Sequence, residues 1–162
     1  MKMRRRRSRT GPWPLLCLAV STLGLPACET TDSTPLPAEI TLTLSPDPVT
    51  AVPSTDTDHQ WSAQFTVTVT ESAGISGTIT SVSAVLYEAA GGIVVVSGEE
   101  VEYNIRVDSN TNSLAANGSV PILFSADYSL PGGGREAAVD VTVSMIDDNG
   151  YSQSEAIRIT VQ

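Results

Sequence analysis

The sequence predicts an all-β protein whose main domain is an antiparallel two-sheet sandwich of about seven to eight strands. Three observations support this prediction: apolar and polar residues alternate with a period of two from residue 40 onwards, no stretch has a convincing helical period, and turn residues separate the alternating runs. Eight antiparallel strands in about 125 residues fit two packed sheets. A small up-and-down barrel is the alternative.

Most of the predicted strands alternate clearly, with Thr and Ser as the usual polar partners, and Thr favours strands. The predicted strands lie near residues 39–45, 60–70, 76–87, 92–97, 100–108, 119–130, 136–146 and 154–161. The inward-facing residues that we expect in the core are Trp61, Phe65, Val67, Tyr103, Phe124, Val141, Val143 and Ile159.

Local irregularities predict the remaining features of the chain. The apolar phase changes between Ile79 and Val82, which predicts a bulge near Thr80–Ser81. Asn149-Gly150 predicts a tight hairpin between the last two strands, and 132–134, three glycines, predicts a flexible hairpin tip.

The charge is divided unevenly along the chain. Nine Lys and Arg face eighteen Asp and Glu, a net charge of −9, and six of the nine basic residues lie in the first ten positions. From Cys28 onwards, three basic residues stand against eighteen acidic ones, a net charge of −15. Binding of nucleic acid by that part is excluded, because a polyanion requires a basic surface.

The N-terminus has the features of an export signal. Basic residues 1–10 precede an apolar run from Leu15 to Leu25, which is shorter than the roughly 20 residues of a membrane-spanning helix. The following Leu25-Pro26-Ala27-Cys28 resembles the lipobox of bacterial lipoproteins. The resemblance implies that Cys28 becomes the first mature residue and carries lipid on its sulfur and amino group. Ordinary signal-peptidase cleavage after Ala27 and twin-arginine export are the alternatives.

We therefore divide the chain into a lipoprotein signal peptide (1–27), a lipidated Cys with a Thr/Ser/Pro tether (28–38) and a sandwich domain (39–162). Once Cys17 leaves with the signal peptide, Cys28 is the last cysteine, so no intramolecular disulfide is expected. The lipobox resemblance implies a lipid-anchored protein of the bacterial cell envelope. Glu29 is not the Asp associated with inner-membrane retention in enterobacterial lipoproteins, which favours the outer membrane.

The closing stretch resembles the last hairpin of bacterial immunoglobulin-like and fibronectin-III-like domains. The resemblance rests on 138–143, on 147–150 and on 157–161, and on Asn117-Gly118-Ser119 before a strand. It implies an Ig-like sandwich of the disulfide-free bacterial kind. The penultimate strand contains no Tyr, so a tyrosine corner of the antibody type is not expected.

The chain has few residues suited to catalysis, and we expect no enzyme activity. His59 is the one imidazole, no G-x-S-x-G motif occurs, and zinc would need several His or Cys ligands. Calcium is the one cofactor with weak candidates, since it binds carboxylate and amide oxygens. These candidates are Asp47, Asp56, Asp58, Asp147, Asp148 and Asn149.

The sequence thus predicts a lipid-anchored, non-catalytic envelope module with a binding or structural role, such as an accessory subunit of an envelope complex. Its expected partners are the membrane, through the lipid on Cys28, and an envelope protein. A calcium-stiffened or carbohydrate-binding module is one alternative. A periplasmic hydrolase inhibitor that acts through loops at one end of the sandwich is the other.

Overall fold

Strands account for most of the structure, a computed structural model that describes residues 35–95 and 101–162. These residues belong to the unit Thr34–Gln162, whereas the predicted signal peptide, Cys28 and most of the tether lie outside the described residues. The strands are β1 (Ile40–Ser45), β2 (Val52–Pro53), β3 (Trp61–Glu71), β4 (Gly77–Ala90), β5 (Ile93–Val94), β6 (Glu102–Ser109), β7 (Ser113–Leu114), β8 (Ser119–Ser129), β9 (Ala137–Asp147) and β10 (Ser152–Val161).

The strands form two antiparallel sheets, which confirms the predicted sandwich. In the first sheet the order is β1-β3-β8-β6, with β2 also paired to β3. In the second sheet the order is β10-β9-β4-β5, with β7 also paired to β4. This is the strand order of immunoglobulin domains, in which the first, second, fifth and fourth main strands face the third, sixth and seventh.

The chain crosses between the sheets after β1. Val49 forms a parallel bridge with Val161, and the N–H of Gln162 donates to the carbonyl of Val49 at 2.9 Å. The N–H of Ala51 donates to the carbonyl of Gln162 at 2.7 Å. The chain then returns to the first sheet as β2, so this segment closes one flank of the sandwich.

The core lies between the two sheets. The rings of Phe65 and Phe124 stack at its centre, with centroids 5.1 Å apart and planes 8° from parallel. Trp61 is half-buried and packs against the core. The structure confirms the burial of six predicted core residues: Phe65, Val67, Phe124, Val141, Val143 and Ile159.

The expectation that Tyr103 lies in the core is wrong. Tyr103 has the inward phase of β6, yet 40% of it is exposed. The reason is the position of β6, which lies next to β8 at the edge of the first sheet. The second sheet does not fully cover this strand.

The structure confirms two of the predicted irregularities and corrects a third. The pairing of β4 with β9 shifts register between Ile79 and Ser81, at the predicted bulge. The last hairpin is closed by the N–H of Gly150, which donates to Asp147, and Gly150 has the positive φ of 86° that favours glycine. The segment Pro131–Gly133 is a 3₁₀ turn that carries the chain from β8 in one sheet to β9 in the other, so it is no hairpin tip.

Among the described residues, no helix has the length and apolar character needed to cross a membrane.

Candidate functional site

The strand register defines two ends of the sandwich. At the end that we call the Leu36 end, Ile40 pairs with Glu71, and Gly77 pairs with Asp147. At the opposite end, which we call the Gln162 end, Val161 pairs with Ala137. Residues 36–40 therefore lie at one end of the sandwich, and Val161 and Gln162 lie at the other.

Glu71 is a buried carboxylate at the Leu36 end, with 1% of the residue exposed. Its Oε1 accepts the N–H of Ala73 at 2.7 Å, and its Oε2 accepts those of Gly74 at 3.0 Å and Asn117 at 2.8 Å. The N–H of Glu39 lies at the limit of hydrogen bonding, 3.5 Å from Oε1. The side chain thus links the loop after β3, the turn before β8 and the segment that precedes β1.

Asp147 is a second buried carboxylate at the same end, and it holds a different set of backbone groups. Its Oδ2 accepts the N–H of Ala38 at 2.8 Å, and its Oδ1 accepts those of Asn149 at 3.0 Å and Tyr151 at 2.8 Å. The side-chain amide of Asn149 donates to the carbonyl of Leu36 at 3.0 Å. The last hairpin therefore fastens the segment through which the chain enters the sandwich.

Both carboxyl groups have a pKa below the ordinary value for their residue type. Burial alone raises the pKa of each, because it disfavours the charged form. The backbone N–H donors, led by Asn117 for Glu71 and by Ala38 for Asp147, lower the pKa by more than burial raises it. The structure therefore holds both groups as carboxylates whose charge is met by peptide dipoles.

Sequence reasoning missed Glu71, although a signal for it exists. Glu71 continues the buried phase of Val67 and Val69 in β3, and Asp147 continues that of Val143 and Met145 in β9. An acidic residue at the last inward position of a strand is worth noting, because such a group needs internal hydrogen-bond donors.

The structure does not bring the six calcium candidates together. Asp47 lies between β1 and Val49, and Asp56 and Asp58 lie in the loop before β3, at the Gln162 end. The remaining candidates, Asp147, Asp148 and Asn149, lie at the Leu36 end. Within residues 35–95 and 101–162, no three His, Cys, Asp or Glu side chains are grouped so that they could hold a metal ion.

The loop before β3 is ordered by its own hydrogen bonds. Asp56 accepts the N–H of Asp58 at 3.1 Å and lies 3.3 Å from Nδ1 of His59. The N–H of Asp58, followed by the His59 ring, lowers the pKa of Asp56. His59 also lines a surface cleft of about 720 Å³ with Val101 and Tyr103. In the described part of the chain, no hydroxyl group is hydrogen-bonded to His59, so the Asp56–His59 pair lacks a nucleophile.

A tyrosine fastens the crossing between β8 and β9. The buried Tyr128 in β8 donates its hydroxyl to the carbonyl of Arg135 at 2.7 Å, and burial raises the pKa of Tyr128 to about 12. The guanidinium of Arg135 lies 5.9 Å from the centre of the Trp61 ring. The contact performs the task of a tyrosine corner from the strand before the crossing, whereas the antibody type uses the strand after it.

At one flank of the sandwich, apolar side chains on the inward faces of β4 and β6 are only partly covered by the opposite sheet. On β6, Tyr103 and Val107 are 40% and 42% exposed, and Ile105 between them is half-buried. Val82 and Ala84, in the inward phase of β4, are also half-buried. We call these five residues the β4–β6 flank. Within the described residues, these side chains leave apolar surface exposed where β6 ends the first sheet.

Comparisons with known proteins give information on the fold of the domain alone. No protein-family model matches the chain, and no curated protein matches it. The crystal structure of the ApaA protein from Bordetella pertussis is similar, with a TM-score of 0.51 and 15% identity over 76% of this chain and 93% of that one. The GAE domain of yeast GGA1 gives a TM-score of 0.42 and 8% identity over 78% of this chain and 92% of that one. At such identities the likeness to ApaA demonstrates an Ig-like β-sandwich and nothing about activity.

Proposed function

We propose that this protein is a lipid-anchored, non-catalytic module of the bacterial cell envelope with a binding or structural role. The anchor in this proposal is Cys28, on the basis of the lipobox resemblance of residues 25–28. An accessory subunit of an envelope complex is the specific form of the role that we favour.

The observation that carries the proposal is the fastening of residues 36–39. Asp147 binds Ala38, Asn149 binds the carbonyl of Leu36, and Glu71 lies beside the N–H of Glu39. Leu36 and Ala38 lie at the end of the proposed tether (28–38), and Glu39 is the first residue of the domain. A module held on a membrane by its N-terminus needs a firm junction between tether and domain, and these contacts supply one.

Within the described residues, two buried carboxylates and the one imidazole make contacts that hold loops of the sandwich. The buried carboxylates Glu71 and Asp147 bind backbone N–H groups, and His59 has Asp56 but no hydroxyl partner. The domain 39–162 carries three arginines against sixteen Asp and Glu, a net charge of −13. A partner of neutral or basic charge is therefore favoured, with an association that salt weakens.

Metabolic labelling with an alkyne-tagged fatty acid tests the anchor. We expect the full chain, expressed in a bacterial host, to take up the label and to sediment with membranes. Cys28→Ser should lose both properties, because it removes the proposed acceptor sulfur. Cys17→Ser is the matched control, since this cysteine lies inside the proposed signal peptide, and it should stay labelled. Labelling of the Cys28→Ser chain would overturn the lipid anchor.

Cross-linking in intact cells, followed by purification in detergent, tests the role as a subunit. A single envelope protein recovered in stoichiometric amount would support an accessory subunit. Recovery of nothing above background would contradict that form of the proposal and leave an autonomous displayed module.

A further inference from the structure

The outer face of the second sheet carries a regular patch of side chains from β4, β9 and β10. Residues paired across neighbouring strands point their side chains to the same side of a sheet, so the register places this patch in three rows. The rows are Tyr87, Ala138 and Thr160; Val85, Asp140 and Arg158; and Ser83, Thr142 and Ala156. We call these nine residues the Tyr87–Arg158 patch. From strand spacing and rise, it measures about 10 by 13 Å.

An exposed aromatic ring lies at one corner of the patch. Tyr87 and Val85 leave 37% and 39% of their surface exposed, whereas Ala138 is only 2% exposed although its side chain points outward. A methyl group on an outer face is buried only by larger neighbours, and Tyr87 and Thr160 lie on either side of Ala138 in its row. These two side chains therefore cover Ala138, and Tyr87 keeps ring surface open to solvent.

Asp140 and Arg158 form a two-point ion pair in the middle row. Nε of Arg158 donates to Oδ1 of Asp140 at 2.6 Å, and Nη2 donates to Oδ2 at 2.7 Å. These hydrogen bonds hold the pKa of Asp140 below its ordinary value and raise the pKa of Arg158, to which Tyr87 adds a smaller effect. The hydroxyl of Tyr87 and the guanidinium are therefore close enough to interact.

The ion pair has no net charge, yet it retains unused hydrogen-bonding groups. A guanidinium has more N–H donors than the two used here, and a carboxylate can accept more than two hydrogen bonds. The pair is also accessible, with 59% of the Arg158 side chain and 31% of the Asp140 side chain exposed. Free donors and free acceptors side by side suit hydroxyl groups, which both donate and accept.

A shallow cleft lies beside the guanidinium. Its volume is about 350 Å³, and it is lined by Asp140, Thr142, Ala156, Ile157 and Arg158. Ala156 is the smallest of these residues, and its short side chain leaves the depression open. The patch therefore offers a ring to pack on, a polar pair to bond to and a cleft between side chains.

Two properties restrict the class of ligand. The backbone of β9 pairs with β4 on one side and with β10 on the other, so a ligand on this face is held by side chains and not by strand addition. The domain 39–162 has a net charge of −13, which disfavours acidic ligands.

An uncharged sugar matches the remaining chemistry. A pyranose ring has an apolar face of C–H groups, which packs on an aromatic ring, and a rim of hydroxyl groups. In the patch, Tyr87 lies next to the Asp140–Arg158 pair, so ring and hydroxyl partners are neighbours. The length of the patch accommodates more than one sugar ring.

We infer that the Tyr87–Arg158 patch binds a neutral polysaccharide, with a pyranose ring packed on Tyr87 and sugar hydroxyl groups bonded to Arg158 and Asp140. The inference rests on the proposed binding role and names a ligand class for it. It depends neither on the lipid anchor nor on a protein partner.

Affinity electrophoresis of the full chain in detergent tests the inference. Native gels that contain galactomannan, xyloglucan or laminarin serve as neutral probes, and gels with alginate or hyaluronate as acidic ones. We expect at least one neutral polysaccharide to retard the protein and the acidic ones to have no effect. Retardation by the acidic polysaccharides alone, or by none of the five, would overturn the inference.

Variants assign the binding to the patch. Tyr87→Ala should weaken binding of the retarding polysaccharide by about tenfold, the size expected when a stacking contact is lost, and Tyr87→Trp should retain it. Arg158→Gln should weaken binding as well, because it removes N–H donors. Tyr151→Ala is the matched control, since Tyr151 is 36% exposed in the last hairpin, at the Leu36 end. Equal weakening by Tyr151→Ala, or full binding by Tyr87→Ala, would contradict the site.

The result also separates this inference from the proposed anchor. Acyl labelling of Cys28 without retardation by any neutral polysaccharide would contradict the glycan site and leave the anchor standing. Retardation that depends on Tyr87, without acyl labelling, would support the site and contradict the anchor.

Discussion

Glu71 and Asp147 occupy the last inward-facing positions of β3 and β9. In the middle of a strand, either carboxylate would strongly destabilise the fold, because a buried charge needs hydrogen-bond donors or an opposite charge. At a strand end, the chain turns and offers backbone N–H groups that no ladder uses. Each side chain accepts two of these donors from its own turn and one from a segment far away in sequence. Both residues therefore stabilise the loops of the Leu36 end.

The stability of the domain should fall in acid because of these two residues. Their pKa is lower in the folded state than in the unfolded chain, where Glu and Asp titrate near about 4.3 and 3.9. The unfolded state therefore binds more protons at low pH. The contribution is complete above these unfolded values and is lost as the pH falls through the folded pKa values. We expect the thermal midpoint to be level near neutral pH and to drop steeply below about pH 4.

Replacement of Glu71 by Gln measures the contribution of this residue to the free energy of unfolding and to its pH dependence. Gln keeps the shape but places an NH₂ group among N–H donors, so Glu71→Gln should cost about 1.5–3 kcal/mol at pH 7. The difference from the unchanged protein should shrink as the pH approaches 2. Glu155→Gln, an exposed position on β10, serves as control and should have little effect at any pH. A constant difference across the pH range would contradict the role of the ionised carboxylate.

At the scale of the element, β4 shows how a single glycine permits close strand packing. Gly77 is buried at the start of β4, where it pairs with both β7 and β9. A Cβ at this position would overlap Met145 Cε and lie 2.7 Å from the carbonyl oxygen of Ile146 and 2.9 Å from Cα of Asp147. Two of these three neighbours are backbone atoms, which cannot move without disturbing the sheet.

Gly77→Ala should therefore destabilise the domain by about 1–3 kcal/mol, the usual cost of overpacking. Urea unfolding of the two proteins measures the difference. Gly134→Ala is the control, because Gly134 has a φ of −57° and a Cβ there would lie 3.9 Å from its nearest neighbour, Leu130. It should be neutral or stabilise by up to about 1 kcal/mol. Equal stability of Gly77→Ala and the unchanged protein would show that the sheet adjusts at this point.

Strand positions could be predicted from the sequence because one face of each strand packs against the core and the other faces solvent. The alternation around Phe65 and Phe124 located β3 and β8 to within a residue or two, and the phase change after Ile79 located the bulge. The alternation of β6 predicted a strand in the same way. It also placed Tyr103 in the core, where the structure leaves it 40% exposed. Periodicity gives the face of a residue, but not whether the opposite sheet extends far enough to cover it.

The contacts that organise the Leu36 end could not be predicted in this way. Asp147 was a calcium candidate on composition, since an Asp-Asp-Asn run is rich in oxygen ligands. Its actual partners are backbone N–H groups, one of them on Ala38, 109 residues away in the chain. Such a pairing depends on the fold of the whole sandwich and on no local pattern. The same holds for Glu71 and Asn117.

At the scale of the whole molecule, negative charge is spread over a domain without a grouped cation site in its described parts. The domain 39–162 has a net charge of −13. Cations will accumulate around it as a diffuse atmosphere. The calcium candidates lie in loops at opposite ends of the sandwich, and the buried carboxylate among them, Asp147, already accepts hydrogen bonds from backbone N–H groups.

Removal of calcium should therefore leave the stability unchanged. We expect the same thermal midpoint in EDTA and in millimolar CaCl₂ at constant ionic strength. An ion stabilises the folded state beyond charge screening only when it binds that state at a specific site. Magnesium at the same concentration is the control for screening. A rise of several degrees with calcium but not with magnesium would contradict this expectation and restore the calcium-stiffened alternative.

The parallel contact between Val49–Ala51 and the end of β10 bears on how the domain responds to force. Residues 49–51 follow β1, which begins at the Leu36 end, whereas Val161 and Gln162 lie at the opposite end, so tension applied between Leu36 and Gln162 pulls the two paired segments in opposite directions along their length. The hydrogen bonds of Ala51 and Gln162 are then sheared together and are not opened one after another. Because forced unfolding is governed by the unfolding barrier, this arrangement resists stretching along the strands more than it resists peeling at one edge.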